Sequence, residues 1–247
     1  MLKAFFEENP EAALAFSGGV DSSYLLYAAS KYARRVTAYF VKTEFQPEFE
    51  AEDAVRLARE LGAEMKILSL SVLADENIRA NPADRCYICK RRIFTLIGRQ
   101  AAEGGYPVLL DGSNLDDDPS RRPGMRALAE LNVRSPLREA GLTKAEIRRL
   151  SREAGLFTWD KPSYSCLATR VPTGCELRGE LLEKIERGES ALMDLGFEAF
   201  RLRWRDGAAK LELTEKQLPM AIEKRKEILS ALKNDFTEIS LDLEVRP

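Results

Sequence analysis

The stretch AFSGGVDSS, residues 15–23, decides how the rest of the sequence is read. An apolar run, AALAF at 12–16, ends in it, and apolar residues at helical spacing begin from it, over 22–33. Between the two lie paired glycines, an aspartate and serines. Glycine lets backbone approach a ligand closely. The N–H groups of such a turn, with the positive end of the following helix, form a nest for an anion. Ser17, Ser22 and Ser23 add hydroxyl donors around Gly18 and Gly19. Asp21 is out of place beside a phosphate unless a magnesium ion stands between them. The string lacks the Gly-Lys-Ser/Thr of a Walker A loop, and it is not the dinucleotide GxGxxG. An ordinary strand-to-helix turn is the alternative.

Working outward, strands and helices alternate. VTAYFV (36–41), MKILSL (65–70) and VLLD (108–111) read as strands, with helices over 48–61, 87–102 and 143–154. Thr143 and Glu146 form a capping box at the start of the last helix. This rhythm predicts an α/β fold: a doubly wound, mostly parallel sheet covered on both faces. Ligands of such sheets lie beyond the carboxyl ends of the strands. The serine turn, the segment after Val41 and DGSN at 111–114 all belong to that edge. Past Pro172 the pattern becomes helix (181–195), two strands (200–205 and 208–213) joined by Asp206 and Gly207, helix (218–232) and strand (239–245). The expectation is a nucleotide domain over 1–172 and a small α+β domain over 173–247.

The 247 residues carry 38 basic and 40 acidic side chains and no histidine. The charge balance argues against a nucleic-acid-binding protein, which is usually basic. The missing histidine excludes Ser-His triads and His-ligated zinc. No secretory signal and no membrane-spanning run is present, which points to a cytoplasmic protein. Four cysteines are too few for a disulfide scaffold.

SGGVDS resembles the PP-loop, SGGxDS, of the N-type ATP pyrophosphatases, which cleave ATP between its α and β phosphates and adenylylate an oxygen of the substrate. The fuller set NPADRCYICKRRIF (81–94), the 110–148 segment with DGSN, RPG, SPL and KAEIR, and WDKPSYSCLATRVPTG (159–174) is similar, in the same order, to the ATP-dependent sacrificial sulfur transferases of nickel-pincer nucleotide biosynthesis, the LarE family. The resemblance implies a pyridinium dicarboxylate mononucleotide substrate and ATP with magnesium. It also implies adenylylation of a carboxylate and its conversion to a thiocarboxylate, in a homo-oligomer. ATP would be held by Ser17, Gly18, Gly19, Asp21, Ser22 and Lys144, with Asp21 on the magnesium.

Cys166 stands where family members place the sulfur-donating cysteine. In the single-cysteine version the thiol attacks the adenylate and the enzyme is left with dehydroalanine. This chain departs from that version by adding Cys86 and Cys89. A CxxC pair alone serves redox, zinc or cluster chemistry. With Cys166 it makes three thiolates, which suit a [4Fe–4S] cluster with one open iron, as in the cluster-dependent members of the family; a redox pair serving Cys166, or plain buried thiols, are the alternatives. Cys175 reads as incidental or as a spare ligand. Lys90, Lys161 and Arg170, next to these cysteines, are candidates for lowering a thiol pKa or holding the nucleotide phosphate. The family resemblance places Arg201, Arg203 and Glu212 at a phosphate-binding subunit interface; read alone they are a charged strand face. The acidic residues 116–118, with Arg121 and Arg122 beyond, form either a magnesium loop or a solvated one. A cluster-dependent tRNA thiolase is the competing enzyme, and a nucleotide-sensing module the non-enzymatic alternative.

Overall fold

A computed structural model describes residues 1–118 and 123–246; Arg121 and Arg122 lie outside the described residues. Contacts divide the chain into two compact units, Met1–Val72 with Asp84–Lys161, and Leu73–Ala83 with Pro162–Pro247. The second unit thus begins before the break expected after residue 172 and includes a detached piece. Hydrogen bonds explain this. The Asn81 amide donates to the Pro172 and Val171 carbonyls at 2.8 and 3.4 Å, and the Leu177 N–H donates to Arg79 O at 2.8 Å.

The chain runs α1 (Leu2–Glu8), β1 (Glu11–Ala15), α2 (Val20–Tyr32), β2 (Arg35–Lys42), α3 (Glu48–Glu60) and β3 (Glu64–Ser69). Next comes α4 (Glu76–Arg79) in the second unit. The first unit resumes with α5 (Arg85–Glu103), β4 (Leu109–Leu110), α6 (Gly124–Glu130), α7 (Pro136–Glu139) and α8 (Lys144–Glu153). The parallel sheet has the order β3-β2-β1-β4, with Leu14 opposite both Ala38 and Leu110. Alternate residues of β1 face opposite ways. Ala12 and Leu14 join a core with Phe6, Leu25, Ala54 and Ile147, while Ala13 packs with Tyr39, Ile97 and Ala101 of the other face. Helices therefore cover both faces at the centre, as a doubly wound sheet requires. At the edge, β3 leaves Ile67 half exposed. Because β1 has β2 on one side and β4 on the other, the direction of winding reverses at β1, which puts the ligand crevice beyond its carboxyl end.

The second unit contains α9 (Gly179–Asp194), β5 (Arg201–Arg205), β6 (Ala208–Glu212), α10 (Leu218–Glu223), α11 (Arg225–Leu232) and β7 (Ile239–Leu241). β5 and β6 form the expected antiparallel hairpin, and β7 adds to β6 in parallel. A parallel neighbour needs a crossover, which α10 and α11 supply. The single helix expected over 218–232 is interrupted at Lys224, whose Nζ donates to the Leu195 carbonyl at 2.6 Å. Among the described residues no helix is long and apolar enough to cross a membrane.

Candidate active site

In the first unit the turn after β1 is built from its own small residues. Ser22 Oγ donates to the Gly19 carbonyl at 3.1 Å, lies 3.1 Å from Ser17 Oγ and accepts from the Ser17 N–H at 3.3 Å. Gly18 has a φ of +72°, and a Cβ there would lie 3.1 Å from the Glu50 carbonyl of α3. A Cβ on Gly112 would come within 2.9 Å of the Ser22 backbone nitrogen. The serine turn, the helix after β2 and the DGSN segment therefore meet at one place, as the strand-edge argument required.

Asp21 opens α2, and its Oδ2 accepts from Lys144 Nζ at 2.6 Å. Lys144 is the first residue of α8, where Thr143 and Glu146 make the capping box expected from sequence. The other Asp21 oxygen, Oδ1, is buried without a hydrogen-bond partner. An orphaned carboxylate oxygen beside an anion nest is a suitable ligand for a hard cation, so the residues fit magnesium. In the acidic 116–118 stretch, Asp116 and Asp117 make local bonds. Asp116 accepts from the Lys144 N–H at 2.7 Å and Asp117 from the Asn114 N–H at 3.0 Å. Asp116 thus fixes the start of the helix that carries Lys144.

Lys161, expected at a phosphate, is paired with Asp53 of α3 at 2.6 Å and is largely buried. Arg148 donates to the Trp159 and Lys161 carbonyls, each at 2.8 Å, tying this segment to α8. Arg148 closes the KAEIR motif, whereas no motif marks Asp53.

Cys86 and Cys89 lie about one turn apart at the start of α5, the former exposed and the latter buried. The Arg85 guanidinium donates to Cys86 Sγ at 3.8 Å. Lys90 lies along α6, its Cδ only 2.6 Å from where a Gly124 Cβ would stand. Two thiols at this spacing fit two positions of a cluster. Among the described residues, however, no three Cys, Asp or Glu side chains are gathered as a metal site.

In the second unit, Cys166 is partly buried and precedes a 3-10 turn, Leu167–Arg170. Arg170 is fully buried and bidentate to Glu189, Nε–Oε1 2.8 Å and Nη2–Oε2 2.9 Å. Burial opposes its charge, yet the Glu189 carboxylate holds the guanidinium above its ordinary pKa. Arg170, a candidate for lowering a thiol pKa or holding the nucleotide phosphate, thus has its charge taken up by Glu189. Arg201 is also buried, donating to the Phe200 and Ser163 carbonyls at 2.6 Å each. Burial, with Arg170 and Arg246 nearby, lowers its pKa to about 10. Arg203 and Glu212 differ. They pair at 3.0 Å, are less deeply buried, and line with Arg170, Arg205 and Lys210 a cavity of about 460 Å³.

The family profile described as "Queuosine biosynthesis protein QueC" matches residues 11–92. An uncharacterized protein of Synechocystis is 36% identical over 98% of this chain and 92% of its own length. An uncharacterized protein of Methanocaldococcus jannaschii is 29% identical over 96% and 91%. The pyridinium-3,5-bisthiocarboxylic acid mononucleotide synthase of Lactiplantibacillus plantarum is 33% identical over 88% of this chain and 79% of its own. With the PP-loop geometry in place and that relative matched along most of both chains, the chain belongs to the pyridinium-3,5-bisthiocarboxylic acid mononucleotide synthase family, sulfurtransferases built on the PP-loop fold.

Proposed function

We propose that this chain uses ATP to adenylylate a carboxylate of a pyridinium dicarboxylate mononucleotide and then exchanges the adenylate for sulfur, making the thiocarboxylate precursor of a nickel-pincer cofactor. The observation that carries the reading is the convergence of the serine turn, the orphaned Asp21 Oδ1 and Lys144 beyond β1, in a chain related to a synthase of that product. A carboxylate is a poor electrophile. Its oxygen attacks the α phosphorus, pyrophosphate leaves, and AMP becomes the leaving group. A sulfur nucleophile then adds to the acyl carbon and AMP departs. Ser17, Gly18, Gly19 and Ser22 cradle the β and γ phosphates, and Lys144 turns from Asp21 to the developing pyrophosphate charge. Asp21 would hold magnesium, which neutralises phosphate charge when bound.

We assign the sulfur to Cys166 and its partners Cys86 and Cys89. As three thiolates they would carry a [4Fe–4S] cluster, whose open iron supplies a place for an extra sulfide when bound. The CxxC pair at the start of α5 supports two of the three ligands. Arg203 and Glu212, in the cavity of the second unit, are the candidates for the nucleotide phosphate, and a homo-oligomer is the proposed assembly. The setting is the cytoplasm, where thiols stay reduced.

Pyrophosphate release with the dicarboxylate nucleotide, and none with tRNA, tests the substrate. Release with tRNA alone would overturn the reading in favour of a thiolase. Iron and acid-labile sulfide, measured in protein purified without oxygen, test the cluster. About four irons per chain, lost in Cys86→Ala, are expected. No iron in either protein would return the chemistry to Cys166 alone, whose loss as dehydroalanine mass spectrometry would then show.

A further inference from the structure

Glu189 lies on α9, on the buried stripe that also carries Leu182, Ile185 and Leu192. It is 1% exposed. A carboxylate at an apolar stripe position carries a large desolvation penalty unless its lone pairs are filled. Here each oxygen accepts twice. Oε1 accepts from Arg170 Nε at 2.8 Å and from the Leu202 N–H at 2.9 Å; Oε2 accepts from Arg170 Nη2 at 2.9 Å and from the Tyr164 hydroxyl. The remaining guanidinium nitrogen, Nη1, is turned back into the cysteine segment. It donates to Ser165 O at 2.7 Å, Ser165 Oγ at 2.8 Å, Thr169 Oγ1 at 2.9 Å and Cys166 O at 3.4 Å. The guanidinium also lies over the Tyr164 ring, 4.4 Å from its centroid.

One buried carboxylate thus fixes a guanidinium and a phenol, and these hold the residues on both sides of Cys166. An ion pair that served only to join α9 to the 3-10 turn would need no such fork into the 165–169 backbone and hydroxyls. The far end of the same segment is held separately, by the Asn81 amide on the Pro172 carbonyl.

We propose that Glu189 is a positioning residue for the sulfur-transfer step, acting through Arg170 and Tyr164 to present Cys166 in one orientation. The inference rests on the assignment of Cys166 as a sulfur-bearing residue. It concerns geometry, and the residue itself never touches substrate.

The test uses the full chain, purified without oxygen, with ATP and the pyridinium dicarboxylate mononucleotide. Pyrophosphate release reports adenylylation; thiocarboxylate formed in a single turnover reports transfer. In folded Glu189→Gln, pyrophosphate release should stay within about twofold while transfer falls about tenfold or more, since misplacing a reacting atom is costly even when its chemistry is intact. Tyr164→Phe removes one of the four bonds to Glu189 and should split the two rates in the same direction, about threefold. It keeps the question open to refutation if Glu189→Gln does not fold. Equal loss of both activities, in proportion to the folded fraction, would mean a purely structural role and overturn the inference, as would full transfer in either folded variant. Cys166→Ser separates the layers. If it keeps transfer, the assignment of Cys166 has failed. If it abolishes transfer while Glu189→Gln does not, only the positioning role has failed.

Discussion

The turn beyond β1 and the turn at Cys166 are both short, polar and placed at a helical start, yet they are held in opposite ways. In the first, Ser17, Gly19 and Ser22 satisfy one another across at most five residues, with hydroxyls and backbone alone. In the second, the holding groups are a full charge pair, Arg170 and Glu189, 19 residues apart and both out of water. Hydroxyls exchange a protein partner for water or a phosphate oxygen at little cost. A buried ion pair has no such exchange, because either partner left alone is a naked charge in a medium that cannot solvate it. The nucleotide turn is thus built to open its bonds to a ligand, and the cysteine turn to keep them closed.

The sharpest way to break this contrast is Arg170→Ala. It leaves Glu189 buried and unpaired, and the expected loss is about 3–5 kcal/mol of stability. Urea unfolding followed by the fluorescence of Trp204, on β5 of the second unit, against that of Trp159 in the first, would read it. A loss under about 1 kcal/mol would show that the pair is no more than a surface-grade contact. Lys144→Gln probes the other turn. Its partner Asp21 is partly exposed, so the fold should be nearly unchanged. Pyrophosphate release should fall about 100-fold, near 2.7 kcal/mol of transition-state stabilisation, as for a lost electrostatic donor. Unchanged release would remove Lys144 from the phosphate site.

The same difference explains what the sequence discloses. The nucleotide turn is contiguous, so its residue types reveal its geometry: glycines where a side chain would collide, hydroxyls where N–H groups need partners. The doubly wound parallel sheet follows from buried apolar runs alternating with helical spacing, and the capping box of α8 stood where Thr143 and Glu146 placed it. Glu189 left a fainter mark. It occupies a stripe position among Leu182, Ile185 and Leu192, where periodicity calls for an apolar residue; that mismatch was the available signal. Nothing local could show that Arg170 points inward, since an arginine beside a cysteine suits a phosphate site equally well. Asp53, which takes up the charge of Lys161, lies 108 residues away in a helix of many acids. The short helices α6 and α7 have too few turns to show a period.

A smaller perturbation tests how tightly the first turn is backed. In Gly112→Ala the new Cβ would meet the Ser22 backbone nitrogen at 2.9 Å and its Cα at 3.1 Å. Backbone cannot swing aside as a side chain does, so about 1–3 kcal/mol of overpacking strain is expected. It should appear as a lower Tm together with weaker ATP binding by calorimetry, because the displaced residue is in the nest. A lower Tm with unchanged ATP affinity would detach DGSN from the nucleotide site.

The least effect comes from a pair with the same chemistry as Arg170 and Glu189 in a different medium. Arg134 grips Glu139 in the same two-pronged way, Nε–Oε1 2.8 Å and Nη2–Oε2 2.5 Å, but both side chains are over a third exposed. The hydrogen bond from Arg134, opposed by partial burial, holds the Glu139 carboxyl below its ordinary pKa. A lowered folded pKa stabilises the fold above the unfolded value, and that stability is lost as pH falls through the folded one. Water screens the pair, so Glu139→Gln should cost only about 0.5 kcal/mol at pH 7. The difference from the parent chain should shrink below the unfolded pKa of about 4.5 and vanish once the folded carboxyl is protonated. A cost as large as that of Arg170→Ala would mean that fork geometry, rather than burial, sets the strength of both pairs. A small cost that fades with acid would assign the difference between the two to the medium alone.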